Sequence, residues 1–166
     1  FCLIWVKKYK MLQEFKDIFI NDITINSSIK LLISMILGLL IGSERQYHNK
    51  NAGFKTHALV SMGSTLFVII SLIISEQFKE ITMFDPLRVA SQIIVGVGFI
   101  GGGTIFLKDR SINGLSTAAN LWIAAGVGMA IGYGLYGIGI VATLFSLIIF
   151  IGLNLINNIW KWIKKN

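Results

Sequence analysis

Five long apolar runs, separated by short loops that hold most of the charge, leave this chain few ways to fold. They fall roughly at 29 to 42, 58 to 75, 89 to 107, 115 to 132 and 135 to 153. A helix crosses the hydrocarbon core of a bilayer with about 20 apolar residues, about 17 to 25 being the usual range. The second to fifth runs meet that length, and the first does so if Ile23, Ile25 and their neighbours extend it. Composition agrees: 54% of the 166 residues are hydrophobic and 14% charged, where a soluble domain carries about 25% charged residues. The expected fold is therefore all-α, a polytopic transmembrane bundle of about five helices. It divides into an N-terminal tail over 1–28, a transmembrane domain over 29–153 and a basic C-terminal tail over 154–166. Residues 1 to 10 read equally as native sequence or as an upstream artefact, with Met11 as the initiator.

A net charge of +7 suits nucleic acid or anionic lipid. Because the basic residues sit between the apolar runs and at the ends, lipid is the expected partner and nucleic acid is not. With five spans, Arg45, Lys50, Lys55, Lys108, Arg110, Lys161, Lys164 and Lys165 lie on one side. The other side has only Lys79 and Arg88. The excess of Lys and Arg in short loops marks the cytoplasmic face of the membrane, so the N-terminus is expected outside and the C-terminus in the cytoplasm. Lys7, Lys8 and Lys10 oppose this orientation unless the chain starts at Met11. Cys2, the one cysteine, has no disulfide partner, and His48 and His57 are too few for a zinc centre. No Ser-His-acid set stands out. The expectation is a protein without catalytic residues, metal or cofactor.

At about 100° per residue, small and polar side chains collect into stripes. Asp85, Arg88, Gln92, Gly96 and Gly103 share one face of the third run, and Thr117, Asn120, Ala124 and Gly128 share one of the fourth. The second gathers Ser61, Ser64, Thr65, Ser71 and Ser75; the first offers Ser34, Gly38 and Arg45, with Gly42 at the edge. In lipid, small residues let backbones approach and polar groups bond across the contact, so the stripes predict a tight bundle with a polar interior. Gly38, Gly42, Gly96, Gly103 and Gly128 are the expected packing positions. Gln92 and Asn120, with Asp85 and Arg88 above them, either serve packing or line a cavity, since intramembrane polar groups are costly and often functional.

Gly96 to Gly101 matches the GxGxxG dinucleotide fingerprint, which carries meaning only between a strand and a helix start. Inside an apolar run it reads as helix packing. Asp85-Pro86 is a helix start, an N-cap acceptor followed by proline at the first helical position. Arg88, one turn on, is placed to pair with Asp85. Glu44 with Arg45, and Thr56 with His57, form two further polar groups, each an interfacial anchor or part of a functional cluster.

These residues also carry a resemblance. Gly38-x-x-x-Gly42-Ser43-Glu44-Arg45 and Ala52 to Val60, then Asp85-Pro86-x-Arg88-x-Ala90-x-Gln92 with Gly96 to Gly103, then Gly114 to Trp122, together resemble the MgtC/SapB family over about residues 30 to 150. The resemblance implies a bacterial inner-membrane protein of a virulence-associated family linked to growth in low magnesium. It also implies membrane protein partners, the F-type ATP synthase among them, and its motif blocks add Thr117 and Trp122 to the candidate residues. Lys55 stands where arginine is expected and Gly102 where alanine is commoner. The chain ends at Asn166 without the soluble C-terminal domain of longer members, so the short form is the better match and a virulence role is in doubt.

Three functions remain in view: a regulator that binds other membrane proteins, an ion or small-solute transporter or channel subunit with Asp85, Gln92 and Asn120 on the path, and, with the least support, an intramembrane enzyme. A solitary transporter would be expected to show internal repeats, and none is convincing. A homo-oligomer could still build a pore.

Overall fold

A computed structural model describes residues 22–79, 85–108 and 110–163, with side chains placed up to residue 152 apart from that of Lys108. Five helices follow in order: α1 (Asp22–Tyr47), α2 (Phe54–Gln77), α3 (Pro86–Gly102), α4 (Leu115–Gly132) and α5 (Tyr136–Ile163). A two-stranded antiparallel hairpin, β1 (Phe106–Lys108) with β2 (Ser111–Asn113), joins α3 to α4 and places Leu107 opposite Ile112. α1, α2 and α4 are long and apolar enough to cross a membrane, and α3 and the Tyr136–Gly152 part of α5 are shorter apolar helices. The protein is a polytopic helical bundle, as its sequence leads one to expect.

α4 matches its expected span, and α1 gains the extension through Ile23 and Ile25. The third run differs. It was expected to continue to residue 107, but the helix closes at Gly102, the Gly103 amide bonds back to the Phe99 carbonyl, and Phe106 onward is extended. Three successive glycines, Gly101 to Gly103, weaken the helix there. Apolar residues continue past that point, so hydropathy alone overran the boundary. The hairpin then turns into α4 at Gly114, whose φ of 94° suits glycine and where a Cβ would lie 1.9 Å from the Thr104 carbonyl oxygen.

α1, α2 and α4 form the centre, α3 packs on α2 and α4, and α5 packs on α4 and α1. One apolar cluster joins Leu37 and Ile41 of α1 to Ala124, Val127 and Ile131 of α4; a second joins Val68 of α2, Ile93 and Val97 of α3 and Ala125 of α4. Glycines set the helix separations. A Cβ on Gly38 would stand 2.6 Å from the His57 carbonyl oxygen, one on Gly42 2.8 Å from that of Gly53, and one on Gly128 2.0 Å from that of Ser61. These three expected packing positions bring backbone against backbone.

The other two do not. A Cβ on Gly96 would meet nothing within 4 Å, and one on Gly103 would meet only carbonyls of its own chain turn, Ile100 and Phe99. The reason is rotational: α3 buries Ile93, Val97 and Gly101, more than about a third of a turn from the Asp85–Gly96 stripe. The GxGxxG match lies wholly within α3, and among the described residues no strand precedes it.

Candidate functional site

The candidate side chains separate into a buried seam and an exposed face. The seam begins at the end of α1, where Glu44 and Arg45 are 7% and 2% exposed. Arg45 Nη2 donates to Ser116 Oγ at 3.1 Å and Thr117 Oγ1 at 3.2 Å, at the start of α4. Its Nη1 lies 3.5 Å from Glu44 Oε2, and its guanidinium sits 4.7 Å from the centroid of the Phe150 ring on α5. A planar, always charged fork suits this position, because it can bond two side chains of α4 and stack on α5 at once. Glu44 Oε1 also faces His48 Nε2 at 3.4 Å.

His57, in the first turn of α2, is fully buried, with Nδ1 2.8 Å from the Gly53 carbonyl oxygen. A carbonyl only accepts, so Nδ1 carries the proton and the lone pair of the neutral ring falls on Nε2. Deeper in the bundle, Ser146 of α5 donates to Asn120 Oδ1 at 3.0 Å, and Thr65 of α2 donates to the Gly128 carbonyl at 2.7 Å. Ser61, Ser64 and Ser71 are buried along the same side of α2, as the sequence stripe requires. Within this seam Arg45 Nε, His57 Nε2, Ser61 Oγ and Asn120 Nδ2 are buried and make no hydrogen bond to the protein. Each such group carries a desolvation cost of about 1–3 kcal/mol.

At the opposite end, Lys30 Nζ donates to the Gly132 carbonyl at 3.0 Å, placing a cation on the C-terminus of α4. Tyr133 donates to the Pro86 carbonyl at 3.3 Å. Its phenol is pushed above its ordinary pKa, first by burial and then by the nearby Asp85 carboxylate.

Asp85, Arg88 and Gln92 do not join the seam. All three are exposed. Asp85 caps α3 as expected, Oδ1 accepting from the Leu87 amide at 2.9 Å, but no ion pair joins it to Arg88. The expected stack of Asp85 and Arg88 above Gln92 and Asn120 is therefore not formed: Asn120 is interior, and Gln92 opens on a groove of about 520 Å³ between α2 and α3. Thr56 is exposed and donates to Gly53, outside the cluster. Trp122 is half exposed and lines a second groove of about 500 Å³ between α3 and α4, with Gly98, Gly102, Ala118 and Ala119. Among the described residues no three His, Cys, Asp or Glu side chains group as a metal site.

Sequence reasoning passed over the α5 contribution. Gly139, Thr143 and Ser146 repeat the small and polar stripe at offsets of 4 and 7 residues, with the Phe150 ring next on the same side, and Thr143 and Ser146 are buried. Their spacing is visible in the sequence, but they stand singly among isoleucines and leucines, without the clustered polar residues of the other runs. Ser116 was likewise overshadowed by Thr117.

A helical bundle with apolar flanks and a buried ionic and amide seam defines a polytopic membrane protein. Comparison with known proteins identifies its kind: the profile of the MgtC family matches residues 31–159, and the chain belongs to that family. It is 41% identical over 126 residues to a protein of Escherichia coli (strain K12) named putative magnesium transporter YhiD, covering 73% of this chain and 57% of YhiD. To protein MgtC of Salmonella typhimurium (strain LT2) it is 40% identical over 119 residues, covering 72% of this chain and 48% of that protein. An uncharacterised protein of Haemophilus influenzae is 34% identical over 140 residues, covering 82% of this chain and 58% of the relative. The chain thus spans about half the length of these relatives. No solved structure matches it.

Proposed function

We propose that this chain is a non-enzymatic regulatory protein of the bacterial inner membrane that acts by contact with other membrane proteins during adaptation to low magnesium or stress. The observation that carries this reading is the division of the small residues. Gly38, Gly42 and Gly128 are consumed inside the bundle, while Gly98 and Gly102 face outward and a Cβ on either meets nothing within 4 Å. With Ala118, Ala119 and Trp122 they line the α3–α4 groove. In lipid, a small-x-x-x-small surface admits the backbone of another helix, and the surrounding tails give no competing packing. Family membership and the magnesium in the name of the YhiD relative support the physiological setting. The F-type ATP synthase is a candidate partner by family resemblance. The Arg45 end, which also bears Lys50, Lys55 and Arg110, is assigned to the cytoplasm, and the C-terminus with it.

A second reading, a transporter or channel subunit for an ion or small solute, draws on the four buried polar atoms without a protein partner in the seam. The two separate in a deletion strain grown in low-magnesium medium and complemented with wild type, Gly98→Leu or Asn120→Leu, with membrane levels followed by blot. The regulatory reading expects Gly98→Leu to reach wild-type levels yet fail to rescue growth and lose its cross-linked membrane partners. Full rescue by Gly98→Leu, with failure of a normally accumulated Asn120→Leu, would overturn it in favour of transport.

A further inference from the structure

The other outward face of α3 carries a pattern that the regulatory reading does not use. Asp85, Arg88, Gln92 and Gly96 lie on one side of the helix at offsets of 3, 7 and 11 residues, all exposed. Phe99, one turn beyond Gly96 and beside the same stripe, is 85% exposed. The Arg88 and Gln92 side chains make no bond within the described residues, and an unbonded amide on an apolar helix face is costly, a cost relieved by a neighbouring helix that bonds it.

We infer that this face is a self-association surface, and that its partner is the same face of a second copy of this chain. The charge order selects that occupant. Two copies related by a two-fold axis along the membrane normal set their α3 helices side by side and parallel. Asp85 of each then meets Arg88 of the other, and the contact is self-complementary, as an isologous interface must be. Asp85 Oδ1 is committed to the Leu87 amide, but a carboxylate has about four acceptor sites and can accept the guanidinium as well. Below the charges, the two Gln92 amides approach the axis, where each supplies a donor and an acceptor. Below them, Gly96 leaves a hollow, a Cβ there meeting nothing within 4 Å, and the Phe99 ring of the opposite copy is the knob that fits it. The hollow continues into the α2–α3 groove lined by Leu59, Gly63 and Phe67. This surface lies on the α2 side of α3, and the proposed partner groove on the α4 side, so the inference stands or falls separately from the regulatory reading.

The test is disulfide cross-linking in native membranes, in a Cys2→Ser background, with Gln92→Cys as the reporter and Leu144→Cys on the lipid-facing side of α5 as the control. Gln92→Cys is expected to give a dimer of the chain about tenfold faster than the control, the range expected for polar contacts between helices in lipid. Asp85→Arg or Arg88→Asp alone places like charges together and abolishes that advantage. Co-expressing the two, each with its own tag, restores it as a mixed dimer, because each mutant face then complements the other. As Asp85 also caps α3, a parallel arm pairs Arg88→Asp with Asp85→Asn, which keeps a capping side chain; the mixed dimer should again exceed the Arg88→Asp homodimer. Equal cross-linking at Gln92 and Leu144, indifference to charge reversal, or cross-linking only to a protein of another mass would each overturn the inference.

Discussion

α3 and α4 are adjacent helices of similar length, both rich in glycine and alanine, yet they use these residues in opposite ways. Gly128 and Gly132 of α4 press against Ser61 and Val68 of α2, and Thr117 and Asn120 bond to α1 and α5. On α3 only the Ile93, Val97 and Gly101 edge is buried, and its polar and most of its small residues face outward. The same stripe of residue types therefore closes a bundle in one helix and presents a surface in the other. Composition does not distinguish the two uses; what decides is whether the stripe coincides with the side that the neighbouring helices cover.

The sharpest break in that comparison is between two arginines. Arg45→Ala would take the guanidinium away from the buried Glu44 carboxylate and remove bonds to two residues of α4, at a cost of about 3–5 kcal/mol. Arg88→Ala, on the exposed side, should change the stability of the single bundle by less than about 0.5 kcal/mol. Unfolding in detergent, under conditions where the protein is monomeric, measures both; similar losses would contradict the division.

Thr65→Val comes next. It keeps the volume but leaves the Gly128 carbonyl without its 2.7 Å donor at the tightest helix contact, so about 1–3 kcal/mol should be lost in the same assay. A smaller effect belongs to Asn120→Leu, which deletes one interhelical bond, to Ser146, worth about 0.6 kcal/mol on average, and removes one buried orphan amine. The smallest concerns Tyr133, at the α3–α4 end. Its raised pKa means that the folded protein favours the neutral phenol, so its contribution is full below the unfolded value of about 10 and is lost as pH rises through the folded one. Tyr133→Phe should accordingly flatten the alkaline limb of a stability profile, with loss of the long Pro86 hydrogen bond costing up to about 0.5 kcal/mol at neutral pH, and an unaltered alkaline limb would remove Tyr133 from that role.

The fold was largely legible because hydrophobic run length is a direct physical requirement of the bilayer. α4 could be read to the residue, and α3 was overestimated only where apolar sequence continued into a strand. The buried part of the site was legible where polar residues repeat at helical spacing, as with Arg45, Thr117, Asn120 and the serines of α2. What the sequence could not supply was rotation. Nothing in the order Asp85, Arg88, Gln92, Gly96 says which side of α3 its neighbours cover, because Val89, Ile93 and Val97 form an equally regular stripe beside it. Contacts between distant segments, such as Arg45 to Phe150 and Lys30 to Gly132, have no local signature at all.

The division between interior and surface is tested most directly by measuring, in the same detergent, the unfolding free energies of Gly128→Ala and Gly96→Ala. The account predicts that Gly128→Ala loses about 3 kcal/mol, because the added methyl would lie 2.0 Å from a backbone oxygen of α2 and the helices must separate. Gly96→Ala should be neutral or gain up to about 1 kcal/mol from helix propensity. Equal losses, or a larger loss at Gly96, would mean that the α3 stripe faces the interior after all.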